Sequence, residues 1–315
     1  MGIAGSANIS TAQTAYEAIF NEMFTGGFKS LYDLYTRTVD ITAESLSIPV
    51  ATSFPMLKQQ LGSMEWDSIR ALMQTMTPTT HAAGIRLKRA TVLGDQSGVV
   101  ENTVRSFLAS QGGDGSASIE KLVADMLSAN TKLGHDATAL LSDSHPYSNS
   151  TGDNLATGVA LSFAAFRTWK ANMRKFANER GQLYGTSPTH LMVSTANEAT
   201  ALEITGATRP ISVDNAGAYH TTANVVGATT IENVYAGECQ VIVNPYLADA
   251  AWLLMDLSKP GLRPVIQCRL DTVKPLILDK PTDYCAVEAD EYGYAIKGII
   301  GFEPGLWQLI AGRVS

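Results

Sequence analysis

The chain is short of charge. Charged residues fill 17% of its 315 positions, below the quarter usual in globular domains. It also lacks an excess of bases, with 23 Lys and Arg against 30 Asp and Glu and a net charge of −7. Nonspecific nucleic-acid binding depends on cations displacing condensed counterions, so this composition argues against it. Any DNA partner is expected to be enclosed rather than gripped. No apolar run approaches the roughly 20 residues needed to span a bilayer, and no membrane partner is expected. The N-terminus has no basic segment followed by an apolar one, so no secretion signal is expected. The cysteines, Cys239, Cys268 and Cys285, are odd in number and widely spaced. They show no CxxC or Cys/His zinc spacing and read as small buried residues in a reducing compartment.

Catalytic signatures are missing too. No Gly-rich phosphate loop precedes a helix. Ser142-Asp143-Ser144-His145 contains the residue types of a hydrolase triad. Triad members converge through a fold, however, and adjacency in a polar loop is better explained by turn chemistry. His135-Asp136 and Asp143 with His145 match no metal cage. No enzyme activity, cofactor or metal is expected.

What the chain does have is long strand patterns near its end. Ala251-Trp252-Leu253-Leu254-Met255 reads as a buried strand, followed by a turn at Ser258-Lys259-Pro260-Gly261. Ile266, Cys268 and Leu270 alternate with polar residues, as do Tyr292, Tyr294 and Ile296 further on, which is the period of a strand with one face covered. Gly305 to Ile310 closes the segment, and an acidic connector, Asp283 to Glu291, joins the strands. The whole run, Trp252 to Ile310, is expected to form one sheet on which the rest is built.

Upstream, Ser10 to Phe24 reads as an amphipathic helix with a capping box and a Gly26-Gly27 stop. Ser45 to Asp95 is punctuated by Pro and Gly and keeps no apolar face; its return limb is expected at Ile85 to Lys88. Val99 to Leu127 is helical by pattern, broken at Gly112-Gly113-Asp114-Gly115 and restarting at Ser116 or Ser118. Leu155 to Tyr184 reads as one helix, apolar through Phe163, Phe166, Trp169, Met173 and Phe176. Its other side is basic, through Arg167, Lys170, Arg174, Lys175 and Arg180. That face is the best nucleic-acid candidate, although solvated basic faces are common on surface helices. Strands follow at Thr189 to Ser194 and Gln240 to Asn244, with a short helix at Ala196 to Ile204 between them.

The motif Trp-Leu-Leu-Met-Asp-Leu-Ser-Lys-Pro from Trp252, then Pro-Val-Ile-Gln and a Tyr-Gly-Tyr run ending in Gly-Leu-Trp-Gln-Leu, resembles the end of the Mu-like phage major head subunit. Ser144-His145-Pro146 and the Pro188 to Val193 strand extend the likeness. The resemblance implies an α+β, HK-ninety-seven-like capsid fold. It divides the chain into an N-terminal arm (1–44), an extended two-stranded loop (45–95), a peripheral domain with a long spine helix (96–157), an axial domain (158–261) and a sheet return to the peripheral domain (262–315). It implies a major capsid protein of a tailed bacteriophage, building hexamers and pentamers of an icosahedral shell around double-stranded DNA. Partners would be further copies of itself, portal and scaffold proteins, and decoration proteins. It would be assembled in the host cytoplasm and located in the virion. An encapsulin-like nanocompartment shell is the alternative. A contact between neighbours is also expected, in which Arg86, Lys88 and Arg89 meet Glu288, Asp290 and Glu291 of the adjacent subunit and set register more than affinity.

Overall fold

The computed structural model describes residues 31–53, 70–94, 102–103, 106–107, 116–146, 151–178, 181–206, 208–210, 230–278 and 283–314. The expected helix at Ser10 to Phe24 and the glycine break at Gly112 to Gly115 lie outside them.

In chain order, a single turn of helix, α1 (Tyr32–Tyr35), leads into β1 (Thr36–Asp40). Strands β2 (Leu46–Ser53) and β3 (Arg70–Met76) pair antiparallel as a ribbon, and β4 (Thr79–Lys88) follows, with a short helix α2 (Arg89–Gly94). The expected two-stranded loop is therefore present, but its return limb is β3. Ile85 to Lys88 belongs instead to β4, which leaves the ribbon and joins a larger sheet. The alternation of Ile85 and Leu87 marks a strand without naming its partner, and Thr77-Pro78 separates the two strands.

Helix α3 (Ser116–Ala129) starts where a serine restart was expected. Ile119, Val123 and Leu127 are buried at helical spacing and pack into the main core. Its stop is local chemistry. Asn130 takes a left-handed φ of 46°, and its amide exchanges two hydrogen bonds with the backbone of Leu141, at 2.7 and 3.1 Å. That closes the helix and fixes the following loop in one step. A two-residue pair, β5 (His145–Pro146) with β6 (Thr151–Gly152), follows.

Helix α4 (Phe163–Met173) is shorter than its apolar pattern. Ser162 caps it, accepting from the Ala165 N–H, and Gly158 sits upstream at φ 68°. Its end is held by the Thr186 hydroxyl donating to the Met173 carbonyl. Phe176 is buried although the helix has ended, because Ala177 bridges to Leu183 and folds the chain back. The rest comprises β7 (His190–Val193), α5 (Glu198–Thr205), β8 (Thr208–Pro210), β9 (Thr230–Glu232), β10 (Gln240–Val243), β11 (Trp252–Met255), β12 (Val265–Leu278), α6 (Tyr284–Ala289), β13 (Glu291–Pro304) and β14 (Ile310–Arg313). The acidic connector thus contains a helix, α6.

The strands near the end do not make one sheet. They are divided between two, ordered β1-β12-β13-β4 and β10-β7-β11-β14. In the first, β1 runs parallel to β12 and the other pairs are antiparallel. In the second, β10 and β7 are parallel, while β11 lies antiparallel between β7 and β14. Periodicity assigns a face but not a partner, which is why the run reads as continuous.

The passage between sheets is narrow. The Gly305 N–H donates to the Pro264 carbonyl at 2.8 Å, so the outgoing and returning chain lie side by side. A Cβ on Gly305 would stand 2.4 Å from the Arg263 carbonyl oxygen, so glycine alone allows this approach. One apolar core runs beneath both sheets, from Phe302 and Val265 through Trp307 to Trp252, Leu191 and Phe166.

Candidate functional site

Among the described residues, polar chemistry concentrates at the tip of the β4–β13 ladder and at the junction between the sheets. At the tip, antiparallel register sets Lys88 opposite Glu291 and Arg86 opposite Gly293. Asp290 takes φ 51°, and its carbonyl accepts the Arg89 N–H at 2.9 Å. The Arg89 guanidinium lies 3.6 Å from the Asp290 carboxylate. The basic and acidic clusters therefore meet inside one chain. Their pairing needs no neighbour to explain it, because the ladder brings the end of β4 against the start of β13. Arg86, Lys88, Glu288 and Asp290 are exposed, so such pairs have small energies. Leu276, Tyr284 and Val287 add exposed apolar surface at this end.

The junction is buried. Asn154 is inaccessible to solvent, and its amide nitrogen donates to the carbonyls of Leu140, Trp307 and Ile310 at 2.9 to 3.2 Å. Its amide oxygen accepts from the Ser142 N–H at 2.8 Å and faces His145 Nε2 at 3.1 Å. His145 Nδ1 lies 2.7 Å from Asp136 Oδ2 and 2.8 Å from the Thr138 hydroxyl. The imidazole stacks on Trp307, with centroids 4.2 Å apart and planes 5° from parallel. Burial pushes the Asp136 carboxyl up, but His145 and the Thr138 hydroxyl and N–H outweigh it and hold the group below its usual range.

This geometry assembles no hydrolase. Ser144 bonds the Ser142 hydroxyl at 3.2 Å, while the ring nitrogens of His145 face Asp136, Thr138 and Asn154. The acid that meets the imidazole is Asp136, not the adjacent Asp143. Asp136, His145 and Asn154 are nine residues apart in turn, in polar loops, and no periodicity marks them. Among the described residues, no group of three or more His, Cys, Asp and Glu is arranged to hold a metal. Cys239 and Cys268 are buried free thiols; burial raises both, to about 11.

The Trp252 to Pro264 motif is a clamp at the end of β11, an inner strand of the second sheet. Buried Asp256 accepts from the Ser187 and Ser258 N–H groups and the Ser258 hydroxyl, and lies 3.5 Å from the Lys259 ammonium. Burial opposes its ionisation, and these donors and the lysine reverse that, leaving its carboxyl lowered. Arg263 donates to the carbonyls of Leu257, Lys259 and Leu262. The residues of this motif therefore perform structural work.

The basic face of α4 is interrupted. Arg167, Arg174 and Lys175 are exposed, but Lys170 turns inward, paired with Glu238 and 4.7 Å above the Tyr235 ring. Burial lowers its ammonium, and Arg174 adds to that. Arg180 lies outside the described residues. Between α3 and the first sheet is a cavity of about 260 Å³ with an apolar floor of Ile119, Leu122, Val273 and Ile296. It is smaller than usual small-molecule sites.

A family model described as phage capsid protein matches residues 73–298. No curated protein matches. Among solved structures, the chain is similar to the procapsid of bacteriophage JBD30, at 17% identity and TM-score 0.50, covering 98% of this chain and 76% of that one. It is similar to a virus-like particle from Pyrococcus furiosus, at 11% identity and TM-score 0.51, covering 94% and 96%. The capsid of Cyanophage P-SCSP1u gives 11% identity and TM-score 0.51, covering 92% and 91%. At these identities the likeness is one of fold, the HK-ninety-seven-like arrangement of helices and strands.

Proposed function

This chain belongs to the phage capsid protein family, and from that premise we propose that it is a major capsid protein that closes into an icosahedral shell of hexamers and pentamers around double-stranded DNA. The carrying observation is the family match over residues 73–298, on an HK-ninety-seven-like fold. The role is structural. Ordinary interfaces bury roughly 1,600 Å², and a subunit with several of them is held persistently by contacts that are individually weak. In this reading the first sheet and α3 belong to a peripheral domain, the second sheet to an axial domain, and the β2–β3 ribbon projects toward a neighbour. A two-stranded ribbon of this kind is marginal alone, and a sister subunit supplies its cover.

The finer identity is Mu-like, on the residues of the Trp252 to Pro260 motif. Portal, scaffold and decoration proteins are the proposed partners, and host cytoplasm is the site of assembly. Expression of the chain alone should yield closed shells by electron microscopy; only monodisperse monomers at high concentration would overturn the reading. Shells filled with an enzyme rather than genome in the native source would favour the nanocompartment alternative.

The charged tip is proposed to keep register between neighbours as well as within the chain. Reversing Arg86, Lys88 and Arg89 to Glu should reduce particle yield at least several-fold. Reversing Glu288, Asp290 and Glu291 to Lys should do the same. Mixing the two folded variants separates the sources. Co-assembly of the mixture indicates pairing between subunits, whereas rescue only when both reversals share one chain assigns it to the subunit alone.

A further inference from the structure

Helix α3 has apolar residues on two sides. Val123 and Leu127 lie in the main core, whereas Leu122 is half-buried and lines the cavity between α3 and the first sheet. The floor of that cavity continues through Val273 of β12 and Ile296 of β13. Its rim is polar and exposed at Lys121 and Asp125, which pair with each other at 2.6 Å. At about 260 Å³ it has room for large side chains rather than for a whole small molecule. An apolar floor inside a polar rim is a seat for one face of an amphipathic helix.

The sequence supplies such a helix. Ser10 to Phe24 places Tyr16, Phe20 and Met23 at i, i+4 and i+7, and a lone helix of this length is marginal in water until that face is covered. Its tether is held beside α3. The Leu31 N–H donates to the Glu120 carboxylate at 2.6 Å, and Tyr32 packs edge-on against Phe302. Glu120 stands about 160° round α3 from Leu122, at roughly 3.6 residues per turn. Passing half-way round a helix takes about 17 Å, and the residues between Phe24 and Leu31 extend to about 20 Å. On so short a tether the helix meets its own groove at an effective concentration of about millimolar order.

We propose that residues 10–24 fold back round α3 and lay the face of Tyr16, Phe20 and Met23 in the groove of their own subunit, as a second helix on the first sheet. The groove is then part of the subunit interior and closed to a neighbour. One chain supplies both halves of this contact, so it stands apart from the shell-forming role.

The test is the full chain carrying Phe20→Cys with Leu122→Cys, oxidised and read by peptide mapping. The disulfide between positions 20 and 122 should dominate. Asn21→Cys, on the polar side of the helix, should link to Leu122→Cys several-fold less. Mixing ¹⁵N-labelled and unlabelled double variants before oxidation separates the sources, and linked peptides should share one label. Mixed-label pairs would mean that a neighbour's helix fills the groove. No 20–122 link would mean that something else covers it. Either result overturns the proposal. Should Leu122→Cys fail to fold, hydrogen exchange of the wild-type chain, kept dilute, decides. Backbone amides of residues 16–24 should exchange at least about tenfold more slowly than in the isolated peptide. Phe20→Asp should remove that protection while β13 keeps its own. Peptide-like exchange in the wild type, or protection that survives Phe20→Asp, rejects the proposal. Both readouts report on the single subunit, so they fail or succeed independently of whether shells form.

Discussion

Asn154→Leu is expected to cost about 5 kcal/mol and to leave little folded protein at physiological temperature. Leucine is the larger side chain, so no cavity forms, and lost hydrogen bonds with some crowding set the cost. Asn154 serves three carbonyls, one backbone N–H and one imidazole nitrogen, all at the junction. Each buried polar group left without a partner costs about 1–3 kcal/mol, and neighbours in one network do not relax independently. The Leu140 and Ser142 contacts belong to the loop before β5, and the Trp307 and Ile310 contacts to the chain entering β14. Loss of the side chain therefore detaches one segment from the other. Urea unfolding of the variant measures the cost. A loss below about 1 kcal/mol would show that the backbone groups find other partners, and that the hub has been overvalued.

Gly312→Ala should be nearly as severe, for a different reason. Gly312 has φ of 152°, a conformation that residues with side chains rarely adopt. A Cβ there would meet the Trp252 carbonyl oxygen at 2.2 Å and the Leu253 Cα at 2.9 Å. Both are backbone atoms of the neighbouring strand β11, so no rotamer change relieves the clash. The β11–β14 ladder has to separate, and with it the Gly312 bonds to Asn154 and Ala156. A loss of about 4 kcal/mol is expected, at the upper end for overpacking combined with backbone strain. Gly237→Ala is the control. Gly237 also has positive φ, at 70°, but open space around it, so it should lose only about 1 kcal/mol. Equal losses in the two variants, measured by calorimetry, would mean that torsion rather than the Trp252 contact sets the cost.

Much of the fold was legible where the deciding interactions are local. The Trp252 run, the alternation from Ile266 and the strand before Ser194 are set by burial period. The grouping of those strands was not. Residues that alternate alike in β12 and β13 pair with each other, while the equally apolar β11 pairs with β7 and β14. Only distant backbone contacts decide between these partners. Helix α4 is shorter than its spacing suggests because Phe176 continues the helical period while packing from a turn. The charged trios at the tip were visible as clusters, but their meeting inside one chain depends on strand register. The junction was the least legible part. His145 sits among turn residues whose composition suggests exposure, yet Trp307, far along the chain, covers its ring.

The route between the sheets bears on how such proteins diversify. Strands β11 and β14 are hydrogen-bonded neighbours, and everything from Asp256 to Leu309 is an excursion between them whose ends touch at Pro264 and Gly305. An excursion with adjoining ends can be lengthened, trimmed or exchanged while the host strands keep their alignment. Descendants of one ancestral subunit can thus change the reach of β12 and β13 without redesigning the body that carries them.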